Sequence, residues 1–464
     1  MTMNIIEIYN RFKECGSITT DTRTLKGGEM FYALKGENFD GNAYALKALE
    51  AGAAYAVVNT SSEVAVQAAA GELEENISSR IIAVEDTLLS LQELARWHRS
   101  MSFVNGKPLT VIALTGTNGK TTTKELIREV LSTKYKVTAT EGNLNNSIGV
   151  PLTLLKINQE TELAVVEMGA SHPGDIKELV NIALPNFGLI TNVGKAHLLG
   201  FGSFEGVMQT KGELYDYLRR TADKAFVNAD NPHLCRMAAE RELQNDSERP
   251  DESLVIPYGL EYIGAKVLPS SQEYPFLRIV IPTEDKELTV NTNLVGSYNA
   301  DNVMAAIAVG KQFGVTLEEA VKAIEAYVPS NKRSQMSKTE RNTLIVDAYN
   351  ANPTSMEAAL NNFANVEAEH KAVMLGDMLE LGEDSLKEHI RIAEMAMNLE
   401  IDTICFVGQE FEKALKEMQP CSNVMSFKTS ADLATWLKEN PINGSVVLIK
   451  GSRGTRMENI IETL

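Results

Sequence analysis

The sequence predicts an α/β protein of three domains: a small N-terminal α/β domain, a central domain with a P-loop-type, mostly parallel sheet, and a C-terminal doubly wound, Rossmann-like domain. Three observations support this prediction. Strand-like and helix-like segments alternate along most of the chain, a glycine-rich loop joins one strand directly to a helix, and 464 residues are too many for one ordinary core. We place the domains at residues 1–85, 86–328 and 329–464.

Composition and charge exclude several classes of protein. Hydrophobic residues make up 44% of the chain and charged residues 23%, as in globular proteins. The formal net charge of −18 disfavours binding to nucleic acid or to an anionic membrane. No apolar run reaches the roughly 18 residues of a membrane-spanning helix, and the first residues lack the apolar core of a signal peptide. The four cysteines show no metal-ligand or disulfide spacing, so we expect a cytoplasmic protein without membrane insertion.

The stretch LTVIALTGTNGKTT, at 109–122, predicts a phosphate-binding loop in the central domain. An apolar, β-branched run ends at Thr115, and helical spacing begins after the loop. In this order the N–H groups of the loop and of the helix start face one point, Lys120 can reach the terminal phosphates, and the Thr121 hydroxyl can bind Mg²⁺. A glycine turn with a surface lysine is the alternative. The residues assigned to the nucleotide are Gly116, Thr117, Asn118, Gly119, Lys120, Thr121 and Thr122.

Polar clusters follow the other candidate strands of this domain, which are 136–140, 163–167, 187–191 and 224–227. Binding residues are expected in such turns because the carboxyl ends of parallel strands share one edge of a sheet. Glu167 closes an apolar run, where a carboxylate can hold Mg²⁺ opposite a phosphate loop or remain simply solvated. His197 ends a glycine-containing turn and is either a site residue or an ordinary polar contact. Lys211 by itself resembles a surface lysine.

Two further clusters allow a functional and a structural interpretation. Asn299 and Asn302 are three residues apart at a helix start, where their amides could recognise a base edge or cap the helix. In the N-terminal domain, Asp21 and Arg23 precede Lys35, and the two cations could bind a phosphorylated ligand. A surface ion pair beside a glycine turn explains that second cluster equally well.

The last third of the chain predicts a second doubly wound sheet. Candidate strands at 343–347, 372–375, 403–407 and 446–449 alternate with candidate helices at 386–399, 410–418 and 431–439. Several of these strands lead into polar turns, such as AYNANPTS after the first and GSR after the last.

Together these motifs resemble the Mur ligase family, the ATP-dependent amide-forming enzymes of peptidoglycan precursor synthesis. ALTGTNGKTT resembles the family's ATP loop, Glu167 and His197 match its Mg²⁺ positions, and Lys211 matches a lysine that is carbamylated in many members. Asn299 and Asn302 fall where the family contacts adenine. Arg333 and Asp347 match positions that contact phosphate and ribose. The resemblance therefore implies ATP and Mg²⁺ as cofactors, with Lys120, His197 and Lys211 in catalytic roles and Thr121, Glu167, His197 and Lys211 around the metal.

Within the family, EGNLNNSIGVP, TNVGKAHLLGFGSFEGV, DAYNANPTSMEAAL and LGDMLELGE are most similar to segments of the members that join D-Ala-D-Ala to UDP-MurNAc-tripeptide. The resemblance implies that the first domain binds the UDP-substrate, the second ATP and the third the dipeptide. We expect the protein to be a monomer. An amino-acid-adding Mur ligase, a folylpolyglutamate synthetase-type enzyme and a P-loop NTPase switch remain the alternatives. The predicted substrate-binding residues are Thr22, Arg23, Lys35, Asn145, Asn146, Ser147, Asn350 and Asn352.

Overall fold

The computed structural model describes residues 3–36, 38–244, 253–271, 274–329, 335–419 and 421–464. The chain forms two compact units. The first consists of Met1–Leu114, Tyr135–Gly169 and Asp175–Gly188, and the second of Thr115–Lys134, Ala170–Gly174 and Leu189–Leu464. The boundaries at 85 and 328 that the sequence analysis places between three domains stay predictions.

The N-terminal segment contains a small parallel sheet with helices packed on it. Its elements are α1 (Ile5–Cys15), β1 (Ile18–Thr19), β2 (Met30–Tyr32), β3 (Lys35–Gly36), β4 (Phe39–Asp40), α2 (Ala45–Glu50), β5 (Tyr55–Asn59), α3 (Glu63–Ala70), α4 (Glu75–Ser78), β6 (Ile81–Val84), α5 (Thr87–Ser100), β7 (Phe103–Val104) and β8 (Lys107–Pro108). The sheet order is β1-β2-β5-β6, and all three pairings are parallel. Phe31, Ala56 and Val58 form its core with α2 and α3.

The middle of the chain alternates strands and helices around the glycine-rich loop. Its elements are β9 (Thr110–Thr115), α6 (Lys120–Ser132), β10 (Val137–Ala139), α7 (Gly149–Leu154), β11 (Leu163–Glu167), α8 (Asp175–Ala183), β12 (Phe187–Ile190), α9 (Leu198–Phe201), α10 (Phe204–Thr221), β13 (Lys224–Asn228), α11 (Pro232–Glu240), β14 (Val255–Tyr258), β15 (Lys266–Leu268), β16 (Arg278–Pro282), β17 (Glu287–Asn291), α12 (Ala300–Gln312) and α13 (Leu317–Ala326).

A six-stranded sheet in the order β10-β11-β9-β12-β13-β14 runs through this region. β10 pairs with β11, β11 with β9, and β13 with β14, all in parallel. β11 is buried at every residue, as expected for a parallel strand with both faces covered. Glu167 ends β11 in register with Leu114 of β9, so it lies at the carboxyl edge where binding residues are expected.

A small antiparallel sheet, β15-β16-β17, is an element that the sequence analysis missed. In β16 the buried residues Ile279 and Ile281 alternate with less buried neighbours. Such alternation is typical of a sheet with one solvated face, whereas our candidate strands were chosen as continuous apolar runs.

The C-terminal segment forms the predicted second sheet. Its elements are β18 (Gln335–Lys338), β19 (Thr343–Asp347), α14 (Pro353–Ala364), β20 (His370–Gly376), α15 (Ser385–Met397), β21 (Thr403–Val407), α16 (Gln409–Lys416), β22 (Val424–Phe427), α17 (Ser430–Glu439) and β23 (Ser445–Lys450). The order is β18-β19-β23-β20-β21-β22, with only the β18–β19 pairing antiparallel among the described strands.

Alternating side chains give this sheet two hydrophobic cores. Ile345 of β19 and Val373 of β20 pack with α14 and α15, whereas Leu344 and Met374 pack on the other face with α17. Because both faces are covered, four of the six strands are nearly continuous apolar runs, and the sequence predicts these four. The sequence analysis missed the two edge strands, β18 and β22, which are less buried.

Two further observations concern the cysteines and the helices. All four cysteines are free thiols. Within the described ranges, no helix combines the length and the apolar character needed to cross a membrane.

Candidate active site

The glycine-rich loop connects the end of β9 to the start of α6. Its last residue, Gly119, has φ 78° and caps the helix without a side-chain hydrogen bond. Lys120 folds back over the loop, because its Nζ donates to the carbonyl oxygens of Gly116 at 2.7 Å and Thr117 at 3.1 Å. A helix N-terminus carries partial positive charge from its backbone N–H groups. The loop, the lysine and the helix start thus form a suitable environment for a phosphate group.

Both loop glycines are required by close neighbours as well as by their backbone angles. A Cβ atom at Gly116, where φ is 144°, would lie 2.0 Å from Thr191 Oγ1. A Cβ atom at Gly119 would lie 2.5 Å from Asn302 Oδ1. Side chains at either position would therefore displace residues that pack directly on the loop.

The turn after β12 lies along the loop and fixes its shape. Thr191 Oγ1 donates to the carbonyl oxygen of Asn118 at 2.6 Å. The Asn118 N–H donates to Asn192 Oδ1 at 2.9 Å, and the Gly194 N–H donates to Thr117 Oγ1 at 3.0 Å. The structure therefore brings the predicted turn at 191–197 next to the predicted phosphate loop.

His197, at the end of this turn, lies close to both predicted catalytic lysines. Burial is the main cause that lowers the pKa of its imidazole; the negative charge of Glu380 opposes this shift, and the positive charges of Lys120 and Lys211 add to it. Its Nδ1 hydrogen-bonds to Glu380 Oε2. The three residues to which we assign catalytic roles thus share one environment.

Lys211 is buried on α10, which overturns its interpretation as a surface lysine. Only 2% of its surface is exposed, and its Nζ lies 5.5 Å from the centre of the Phe201 ring. Buried lysines are rare, because removing a charge from water is costly. Its burial near His197 is consistent with a role in the site.

Glu167 belongs to the first unit and is oriented by another predicted residue. Its side chain is 1% exposed, and its Oε1 accepts a hydrogen bond from Asn145 Nδ2 at 2.8 Å. Asn146 accepts the backbone N–H of Gly149 at 2.9 Å and so supports the start of α7. The carbonyl oxygen of Ser147 accepts from Gln92 Nε2 at 3.2 Å. Their substrate-binding roles stay predictions.

Asn299 and Asn302 form a buried chain of amides beneath the loop. Asn302 Oδ1 accepts from Thr123 Oγ1 at 2.9 Å, and its Nδ2 donates to Asn299 Oδ1 at 2.9 Å. Asn299 Nδ2 donates to the carbonyl oxygen of Val295 at 2.8 Å. Side-chain capping of α12 by Asn299, the structural alternative, is not observed. The amides support α6, and their contact with adenine stays a prediction.

The predicted residues of the C-terminal sheet lie in the turn after β19. Asp347 pairs with Lys450, which is 1% exposed. Asn350 Oδ1 accepts the N–H of Ala351 at 2.9 Å. Asn352 caps α14, and its Nδ2 donates to Asn118 Oδ1 of the phosphate loop at 2.8 Å. Arg333 lies outside the described residues.

The N-terminal candidates are in the first unit. Arg23 forms an ion pair with Asp21 and is 87% exposed. The side-chain hydrogen bond that Arg23 donates to Asp21 lowers the pKa of this carboxyl group to about 2. Thr22 begins a short 3₁₀ helix, and Lys35 is exposed on β3. The structural alternative, a surface ion pair, is therefore present, and binding of a phosphorylated ligand stays a prediction.

Sequence reasoning missed two acidic residues that contact the turn at 191–197. Glu380 contacts His197, and Glu388, which is 2% exposed, pairs with Lys195 Nζ at 2.7 Å. Both lie about 190 residues along the chain from their partners, so only the tertiary fold reveals them. The LGDMLELGE segment contains Glu380 and was the one signal that the sequence offered.

Comparison with known proteins identifies the family. Three family models match successive parts of the chain: "Mur ligase family, catalytic domain" at 14–99, "Mur ligase middle domain" at 114–310, and "Mur ligase, glutamate ligase domain" at 332–453. The UDP-N-acetylmuramoyl-tripeptide–D-alanyl-D-alanine ligases of Bacillus subtilis and Escherichia coli are 34% and 33% identical in sequence to this chain. These alignments cover 96% and 97% of this chain, and 92% and 93% of the relatives.

Solved structures agree with this result. The crystal structure of MurF from Acinetobacter baumannii matches with a TM-score of 0.81 at 29% identity, covering 100% of this chain and 98% of the other. MurF ligase from Thermotoga maritima in complex with ADP matches with a TM-score of 0.77 at 26% identity, covering 96% of each chain. These matches confirm the predicted α/β fold class and its three-domain architecture. The chain belongs to the Mur ligase family.

Proposed function

We propose that this protein is an ATP-dependent ligase that joins D-alanyl-D-alanine to UDP-N-acetylmuramoyl-tripeptide in the cytoplasmic synthesis of peptidoglycan precursors. Relatives named for this reaction align over nearly the whole chain. The single structural observation that carries the proposal is that His197 lies near enough to both Lys120, the first residue of α6, and Lys211 for their charges to lower the pKa of its imidazole. This grouping supports a site in which two anionic reactants meet.

The chemistry follows from the charges that must be neutralised. The terminal carboxylate of the tripeptide attacks the γ-phosphate of ATP and forms an acyl phosphate and ADP. The amine of D-Ala-D-Ala then attacks the acyl carbon, and phosphate leaves from the tetrahedral intermediate. In this scheme Lys120 and the N–H groups at the start of α6 stabilise the charge on the transferring phosphoryl group.

We further propose that Mg²⁺ takes part. Among the described residues, no three His, Cys, Asp or Glu side chains form a group that could hold a metal. Mg²⁺ that binds together with a nucleotide commonly takes only one or two protein ligands and completes its shell with phosphate oxygens and water. The candidates are the buried Thr121 hydroxyl and the buried Glu167 carboxylate, with His197 and Lys211. When bound, Mg²⁺ supplies positive charge to the phosphates.

Lys211 fits this scheme best as a carbamate. A bare ammonium group would be repelled by Mg²⁺, whereas a carbamate is an anion with two oxygens suited to a hard metal ion. The burial of Lys211 protects such a group from water. An unmodified structural lysine remains the alternative.

The remaining roles follow the family resemblance. The UDP-substrate is assigned to Thr22, Arg23 and Lys35, and the adenine and ribose of ATP to Asn299, Asn302 and Asp347. Asn350 and Asn352 are assigned to the peptide substrates. With a net charge of −18, the protein is proposed to work without nucleic acid and as a monomer.

Phosphate release measured with each substrate omitted in turn tests the function. We expect sustained phosphate release and amide product only when UDP-MurNAc-tripeptide and D-Ala-D-Ala are both present, because phosphate leaves after the amine has attacked the acyl carbon. Full ATP turnover without either substrate would instead indicate an NTPase switch. Product formed with another UDP-linked peptide or a folate, but not with the tripeptide, would indicate a ligase with a different acceptor.

Substitution of the loop lysine tests the assignment of the site. We expect Lys120→Ala to reduce amide formation by roughly 10²- to 10³-fold, because it removes one preorganised donor to the transferring phosphoryl group. Lys134→Ala is the matched control, because this exposed lysine follows the opposite end of α6 and donates to the carbonyl oxygen of Gly314 at 3.0 Å. Near-normal turnover of folded Lys120→Ala would refute the loop assignment.

A further inference from the structure

Glu380 is the acidic partner of His197, and the sequence analysis gave it no role. Its Oε2 hydrogen-bonds to His197 Nδ1, and 59% of its side chain is exposed. The His197 and Phe201 rings are nearly perpendicular, with 6.3 Å between their centres. The imidazole is therefore held on one side by a carboxylate and on another by an aromatic ring.

His197 and Glu380 also share an unusual backbone conformation at their contact. His197 has φ 51° and Glu380 has φ 64°, a left-handed conformation that residues other than glycine rarely adopt. A second hydrogen bond links the same segments, because the Leu199 N–H donates to the carbonyl oxygen of Glu380 at 3.3 Å. Unusual backbone conformations persist where the surrounding structure enforces them, and they are frequent at functional sites.

The chemistry of the pair fixes the imidazole in one form. An ionised carboxylate can only accept a hydrogen bond, so His197 Nδ1 must carry the hydrogen. Nε2 of the neutral ring then has a free lone pair, which a metal ion requires. Histidines that bind metals usually donate their other N–H to a carboxylate or a carbonyl in this manner.

We propose that Glu380 is a positioning residue, which holds His197 in the Nδ1–H tautomer and so presents Nε2 to the divalent ion bound with the nucleotide. The inference rests on the proposed function. Glu380 lies in the segment before α15 and acts on the site only through His197. The proposed phosphate loop lies more than 250 residues earlier in the chain. A catalytic histidine is thereby oriented by the segment that follows β20.

Divalent-ion binding tests this proposal independently of turnover. We would titrate Mn²⁺ into the full chain with ADP and follow free Mn²⁺ by electron paramagnetic resonance. Glu380→Gln replaces a carboxylate, which can only accept, by an amide that can either accept from or donate to Nδ1 and so no longer fixes the tautomer. We therefore expect Mn²⁺ affinity and kcat each to fall roughly 10- to 100-fold, with KM for D-Ala-D-Ala nearly unchanged. Glu383→Gln, at an exposed glutamate of the adjacent 3₁₀ helix, is the matched control and should behave as the unmodified protein.

A double-mutant cycle separates positioning from a general structural effect. In a His197→Ala background, Glu380→Gln should cause no further loss of Mn²⁺ affinity, because its effect passes through the imidazole. Unchanged Mn²⁺ affinity and kcat in Glu380→Gln, or an equal loss in both backgrounds, would overturn the proposal. Absence of amide product from the unmodified protein would refute the proposed function, and the Mn²⁺ cycle would still decide the role of Glu380.

Discussion

His98 shows how one buried atom determines the behaviour of a residue. Its Nε2 lies 2.8 Å from the carbonyl oxygen of Ile157 and therefore carries the hydrogen. Its Nδ1 is buried and has no hydrogen-bond partner in the part of the chain that the structure describes. Its ring packs on Phe12 in a T-shaped arrangement, with 5.3 Å between ring centres. Protonation would place a charged, unsatisfied N–H in apolar surroundings, and burial accordingly lowers the pKa of His98 below its usual 6.5.

A pH-dependent loss of stability follows from this shift. Between the folded pKa and the unfolded value of 6.5, the unfolded chain binds more protons than the folded one. The free energy of unfolding should therefore fall as the pH decreases through this range. Above pH 6.5 the contribution of His98 to the free energy of unfolding should stay constant. We expect the urea midpoint to drop less from about pH 7.5 to about pH 5.5 in His98→Gln, which keeps a donor to Ile157. Equal drops in both proteins would contradict this explanation.

At the scale of residues, the sequence located the groups that chemistry requires at fixed spacing. Lys120 follows a glycine-rich loop and His197 ends a glycine-containing turn, so both could be selected from local patterns. Lys211 was assigned only through the family resemblance, because nothing local distinguishes a buried lysine from an exposed one. Glu380 and Glu388 contact partners about 190 residues away, and no local pattern reveals such a contact.

At the scale of elements, the junction of β9 and α6 depends on Gly119. Alanine at φ 78° is strained, and its Cβ would lie 2.5 Å from Asn302 Oδ1. Asn302 cannot move freely, because it hydrogen-bonds to both Thr123 and Asn299. We expect Gly119→Ala to lower the free energy of unfolding by at least about 1 kcal/mol. We also expect ADP affinity, measured by calorimetry, to fall at least about tenfold, since the start of α6 must shift.

Gly71→Ala provides the matched control for this prediction. Gly71 has a similar φ of 74°, but among the described residues no atom outside its immediate chain neighbours lies within 4 Å of the position that an alanine Cβ would occupy. This variant should lose stability through backbone strain alone and keep its ADP affinity. Normal ADP affinity in Gly119→Ala would mean that the loop does not hold the nucleotide.

The strands that the sequence located and those that it missed differ in their environment. β19 coincides with the predicted segment 343–347, because both of its faces are buried and its apolar run is continuous. β16 was missed because its apolar residues alternate, and β14 because its four residues include Pro257. Burial on both faces therefore made β19 visible in the sequence, whereas alternation hid β16 and a proline hid β14.

At the scale of the whole molecule, net charge sets the expected state of association. A chain with 62 acidic and 44 basic residues repels its copies, and such repulsion favours separate molecules. We expect light scattering coupled to size-exclusion chromatography to give the mass of one 464-residue chain at about 0.15 M salt, where charges are screened beyond about 8 Å. A mass of two chains under these conditions would contradict the proposed monomer.

The order of strands in the C-terminal sheet has a consequence for synthesis on the ribosome. β23 is the last strand in the chain, yet it lies between β19 and β20 and pairs with both. During translation these two strands are made about 75 to 100 residues before the strand that joins them. Until residue 450 has emerged, each presents an unpaired edge to which another nascent chain could add. The nascent chain that already contains β19 and β20 but not yet β23 is therefore the species that most needs a chaperone.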